Sequence, residues 1–110
     1  MVCVVGSDAY RLAESLANDL KQVAHPTRVL LLAVLLARGR LKWEELAAEV
    51  RRLAGPVSPN ALAYHVRALY KAGYLVRHGT PDELQYEAVE TAKQIPGMAK
   101  VVEAVKRCGV

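Results

Sequence analysis

Leu12, Leu16, Leu20 and Val23 recur at the spacing of one helical face, with Arg11, Glu14, Asp19 and Lys21 elsewhere on the wheel. This predicts a helix over 8–24. Pro26 sets a new start, because its fixed φ and missing amide donor suit a first helical turn. The second helix, over 28–38, contains nine consecutive apolar residues, 29–37. A helix apolar on every side belongs at the centre, with others packed around it. Gly39 stops it. Leu41 adds a very short strand, and 43–52 reads as a third helix with Trp43, Leu46, Ala47 and Val50 turned inward. Glu44 and Glu45 stand in its first turn, where the helix dipole favours acids. Lys42 is a poor cap for it.

Gly55, Pro56 and Val57 mark a turn, and residues 58–72 form the fourth helix. Ser58 is its cap, Pro59 its first helical residue, and Gly73 the position where a left-handed cap costs nothing. Leu62, Val66 and Leu69 make one buried stripe; Asn60, Ala61, Tyr64, Arg67 and Lys71 cover the rest. Helix, turn, helix over 43–72 is the expected organisation, although the connection 52–57 exceeds the usual three or four residues. The period then changes. Segments 74–78 and 84–89 alternate as strands around the Gly/Pro/Asp loop 79–83, which predicts a projecting hairpin, a wing, over 74–89. Thr91 with Gln94 could form a local cap, interrupted by Ile95, Pro96 and Gly97. A last helix follows, over about 98–108.

The expected fold is mainly α, one winged helix-turn-helix domain over 1–110 with a small β-hairpin wing. The stripe of the last helix (Met98, Val101, Val102, Val105) and that of the first (Leu12, Leu16, Leu20) exceed what a core around the middle helices needs. The terminal helices, 8–24 and 97–108, are therefore expected to form a dimer interface, making a homodimer.

The formal charge is +4, and its placement matters more than its total. Residues 25–78 carry nine basic and three acidic side chains, a net +6, while each flank is −1. No acid occurs anywhere in 58–78. A basic centre between near-neutral ends is an electrostatic footprint for a polyanion. A short helix that is apolar on one side and basic or polar on the other suits a major groove, so double-stranded DNA is the expected partner.

Other classes are poorly served. The apolar run 29–37 is about 14 Å long as a helix, too short for a bilayer, so no membrane partner is expected. No secretory signal is visible, and two cysteines at opposite ends imply a reducing, cytoplasmic setting; Cys3 and Cys108 could still be bridged, within or between subunits. His25, His65 and His78 share no liganding interval, so neither a metal nor a cofactor is expected. With no Gly-rich phosphate loop and no acid–base or nucleophile constellation, an enzyme is not expected.

From the middle of the fourth helix, Arg67 can reach a guanine edge or a phosphate, or can be plain surface. Asn60 can read adenine, grip phosphate or support the turn. Tyr64 can offer its hydroxyl to phosphate or its ring to a thymine methyl, or pack partly into the core. Ser58, with the amides of Asn60 and Ala61, could complete a phosphate-binding helix start. Lys71 suits the helix C-terminus with or without DNA. Arg77 and His78 open the wing, whose tip is acidic at Asp82 and Glu83, so contact is expected from its base.

The chain resembles the ArsR-type winged-helix regulators over about residues 20–90. Val23-Ala24-His25-Pro26-Thr27-Arg28-Val29-Leu30-Leu31-Leu32 matches the start of their pre-core helix, and Glu45-Leu46-Ala47 their support helix. Leu62-Ala63-Tyr64-His65-Val66-Arg67-Ala68-Leu69, then Ala72-Gly73-Tyr74-Leu75-Val76, matches their recognition helix and wing entry. The resemblance implies a dimeric regulator of transcription, most often a repressor, on palindromic operators. It also implies a phosphate-donating role for His65, whose other reading is a hydrogen-bonded structural histidine. The paired cysteines of metal-sensing members are missing from 43–49, and the sequence names no effector. An architectural, largely non-specific DNA binder and a winged helix used for protein assembly are the alternatives.

Overall fold

His25 opens the central helix by turning its own ring onto the backbone: Nδ1 accepts from the Thr27 amide at 3.2 Å, and Pro26 takes the first helical position. The computed structural model describes residues 9–13 and 25–108. Residues 9–13 are helical (α1). There follow α2 (Pro26–Arg38), β1 (Leu41–Lys42), α3 (Trp43–Ala54), α4 (Pro59–Lys71), β2 (Leu75–His78), β3 (Gln85–Ala88), a 3-10 turn (Glu90–Gln94) and α5 (Met98–Arg107). Every residue from 29 to 35 is buried, so α2 is the axis on which α3, α4 and α5 pack. The arrangement follows from its sequence, since a helix without a polar face must be covered all round.

Two segments differ from expectation for packing reasons. α3 runs on to Ala54 because Leu53, three residues beyond Val50, is fully buried. The connection to α4 therefore shrinks to residues 55–58, an ordinary helix-turn-helix length. At its other end α3 gains what Lys42 lacks from Glu45, whose carboxylate accepts from the Lys42 amide at 2.9 Å. The segment after the hairpin is a 3-10 turn with Ala92 buried, rather than an interrupted cap.

The antiparallel sheet has the order β1-β3-β2. β3 pairs on one side with β2, from Leu75 opposite Ala88 to His78 opposite Gln85, and on the other with β1, Leu41 opposite Tyr86. The short strand at Leu41 thereby anchors the hairpin to the body. Gly79 turns the hairpin at φ +93, where a β-carbon would stand 2.3 Å from the Glu83 carbonyl oxygen. Only glycine fits there.

The expected dimer stripe lies elsewhere. Met98, Val101 and Val105 are 0%, 1% and 0% exposed, packed within the chain against α2 rather than presented to a second subunit. They belong to the core, because α2 is apolar on the side that α5 covers. Val102 is half-buried, as is Leu12, which packs against the same core. Leu16 and Leu20 lie outside the described residues. Cys108 is disulfide-bonded, and Cys3, the only other cysteine, is also outside the described residues. Polar ties close the same side of the molecule. Arg38 donates to Glu49 at 3.2 Å and to the Val105 carbonyl at 3.1 Å, while Arg52 pairs with Glu49 and donates to the Cys108 carbonyl at 2.8 Å. No helix among the described residues is long and apolar enough to cross a membrane.

Candidate nucleic-acid interface

Helix α4 presents two faces of different chemistry. Leu62, His65, Val66 and Leu69 are buried. Asn60, Tyr64, Arg67 and Lys71, spaced by four, three and four residues, share an exposed stripe with Ala61 beside it. Tyr64, 60% exposed, is the most exposed large hydrophobic side chain of the described residues. Ser58 caps the helix, its Oγ accepting from the Ala61 amide at 3.1 Å. That amide is thereby engaged, so the helix start offers less to a phosphate than the sequence suggests. At the other end the chain leaves through Gly73, at φ +87, with the Tyr74 amide returning to the Leu69 carbonyl at 3.0 Å.

His65 stands apart from the stripe. It is 8% exposed, and its Nδ1 accepts from Arg28 Nε at 3.0 Å. Its ring lies 4.1 Å from that of His25, centroid to centroid. Burial, then the charges of His25 and Arg28, push its pKa down to about 4, so it is neutral at physiological pH. His25 is lowered as well, by burial first and then by Arg28. The acceptor role of Nδ1 requires that same neutral form. The arrangement is that of a hydrogen-bonded structural histidine fastening α4 to the first turn of α2. Arg28 also lies 5.7 Å from the Tyr64 ring centre, reaching the exposed stripe from behind. Sequence reasoning placed neither His25 nor Arg28 at this site, and the only signal was their position before the apolar run.

The hairpin meets α4 through Arg77, whose guanidinium stacks on the Tyr70 ring at 3.9 Å. His78 turns instead to Glu87 across the hairpin, Nε2 to Oε1 2.8 Å, and Arg40 approaches the same carboxylate at 3.9 Å. His78 is thus occupied within the sheet, whereas Arg77 stays exposed beside the helix. Lys42 reaches Glu83 near the wing tip at 3.9 Å. Between α4, the start of α3 and the hairpin lies a cleft of about 640 Å³, with Trp43, Tyr70, Arg67, Arg77 and Tyr86 on its walls. Among the described residues, no three His, Cys, Asp or Glu side chains gather as a metal site.

A mainly helical body, a three-stranded antiparallel sheet that can form a wing, and a helix-turn-helix pair make a domain consistent with the winged-helix fold, the class of DNA-binding modules in general. Family models, curated proteins and solved structures returned no match to the chain.

Proposed function

We propose that this domain is a DNA-binding regulator of the ArsR-like kind, acting as a repressor by laying α4 in a major groove. One observation carries the reading. The exposed stripe Asn60, Tyr64, Arg67 and Lys71 has no acid within 58–78 and sits on a helix held from behind by Leu62, Val66, Leu69 and His65. Arg67 and Asn60 are the base-reading candidates, Tyr64 and Lys71 hold phosphate, and Arg77 adds a backbone contact from the base of the wing. Ser58 and Ala61 set the helix start. His65 acts by positioning α4, and His78 by stiffening the hairpin through Glu87.

The ArsR resemblance supports pairing on a palindrome, with two α4 helices one turn of duplex apart, about 34–36 Å. Of the expected terminal stripes, Leu12 and Val102 are the described members left partly open. Selection of bound duplexes from a random pool, followed by titration at two salt concentrations, tests the reading. A recovered palindrome supports it, and no binding at low salt defeats it. Two alanines of α4 beside the stripe, Ala61 and Ala63, offer no side-chain donor, which favours an architectural binder as the second reading. Footprinting would show that as protection in proportion to length.

A further inference from the structure

The cleft between α4 and the hairpin has features a DNA surface does not require. At about 640 Å³ it falls within the size range of small-molecule pockets. Three aromatic side chains stand in its walls: Trp43 and Tyr86 meet edge to face at 6.3 Å, and Tyr70 stands on α4 with Arg77 stacked on it. Val66 and Leu84 add apolar surface. Arg67 and Arg77 both line the cleft, and neither has a carboxylate partner among the described residues. A phosphate of a duplex backbone could use the guanidiniums but would leave the aromatic walls uncovered.

Charge narrows the occupant. Lys42, Arg67 and Arg77 are balanced around the cleft by Glu44, Asp82 and Glu83, so the lining has no net charge to hold a polyanion. Lys42 is drawn to Glu83, and neither Glu44 nor Asp82 forms an ion pair with Arg67 or Arg77, so the two arginines remain as cations for a single carboxylate. A single carboxylate matches a guanidinium fork, and a flat ring system matches aromatic walls. The geometry points to a small-molecule site for a planar aromatic monocarboxylate, its rings against Trp43 and Tyr70 and its carboxylate met by Arg67 and Arg77. Arg67 also belongs to the exposed stripe of α4. A ligand holding it withdraws it from a duplex and lowers DNA affinity, a consequence that rests on the DNA-binding reading above, while the site itself does not.

Trp43 is the only tryptophan of the chain, so its indole N–H gives one NMR signal from the wall of the cleft. The full chain is titrated with 2-naphthoate, with cyclohexanecarboxylate (an anion without an aromatic ring) and with inorganic phosphate. A saturable shift of the Trp43 signal is expected with 2-naphthoate, weaker binding by about tenfold with cyclohexanecarboxylate, and no saturable shift with phosphate. Arg67→Gln and Arg77→Gln should each weaken naphthoate binding by about tenfold, as loss of one charge-assisted contact does, with the remaining spectrum unchanged. No saturable shift, equal response to the three probes, or unaltered binding in both variants overturns the site. Duplex binding is then measured with and without 2-naphthoate. A saturable Trp43 shift in a chain that binds no duplex sinks the DNA reading and leaves the site standing. Duplex binding without a Trp43 shift does the reverse. Binding of both without competition overturns the regulatory consequence.

Discussion

Arg28 Nε donates to His65 Nδ1 at 3.0 Å, joining the first turn of α2 to the middle of α4. The bond needs a neutral imidazole, and burial beside His25 and Arg28 holds the pKa of His65 near 4 rather than at its ordinary 6.5. Because the folded pKa is depressed, the unfolded chain binds the proton first as pH falls. Stability from this group is whole above about pH 6.5, declines from there to pH 4, and is fully lost below. The loss is roughly 3 kcal/mol, and the lowered pKa of His25 acts in the same direction. Urea unfolding across pH 4–8 checks this, and His65→Asn should flatten the profile. An unchanged slope in that variant would count against the assignment.

Met98 is fully buried at the start of α5, in the stripe that covers α2. Truncation to Ala should remove roughly 2–5 kcal/mol from the stability of the single chain, by lost transfer energy plus the cavity left behind. Denaturant melts at two protein concentrations distinguish core from interface. A core residue gives the same loss at both, whereas an interface residue gives one that depends on concentration.

The elements of this fold were readable where a local pattern has one physical meaning. The unbroken apolar run 29–37 could only be central, and Ser58, Pro59 and Gly73 bracket α4 almost to the residue. Periodicity says that the stripe of Met98, Val101 and Val105 is covered without saying by what, so it suits a dimer face as well as a core. Leu53 lies between Arg52 and Gly55, and only its burial shows that the helix continues past it. The contact of Arg28 with His65 spans 37 positions, beyond any periodic signal. The exposed stripe of α4 was legible in the absence of acids, but the cleft beside it was not. It needs α3, α4 and the hairpin together.

Gly79 tests whether the hairpin is held as tightly as its turn implies. At φ +93 an L-residue is strained, and a β-carbon would meet the Glu83 carbonyl oxygen at 2.3 Å. Gly79→Ala should cost roughly 1–3 kcal/mol of local strain and shift the amides of residues 78–84 while leaving those of α2 in place. A spectrum changed throughout, or nowhere, would contradict a tight local turn on an anchored sheet.

Arg67 distinguishes the ways in which α4 can meet DNA. It is exposed on the same stripe as Asn60, Tyr64 and Lys71, on a helix fixed from behind, so its reach is set by the side chain alone. If its guanidinium reads a guanine edge, Arg67→Ala loses about 1–3 kcal/mol of discrimination at one position of the selected site and leaves the others intact. If it holds a phosphate, the variant binds all sequences more weakly, and the slope of log affinity against log salt falls by about one. Competition titrations with single-base variants of the selected duplex, repeated at two salt concentrations, separate the two. An Arg67→Ala protein with the specificity, affinity and salt slope of the wild type would remove the residue from the interface, and with it the charge at the centre of the stripe.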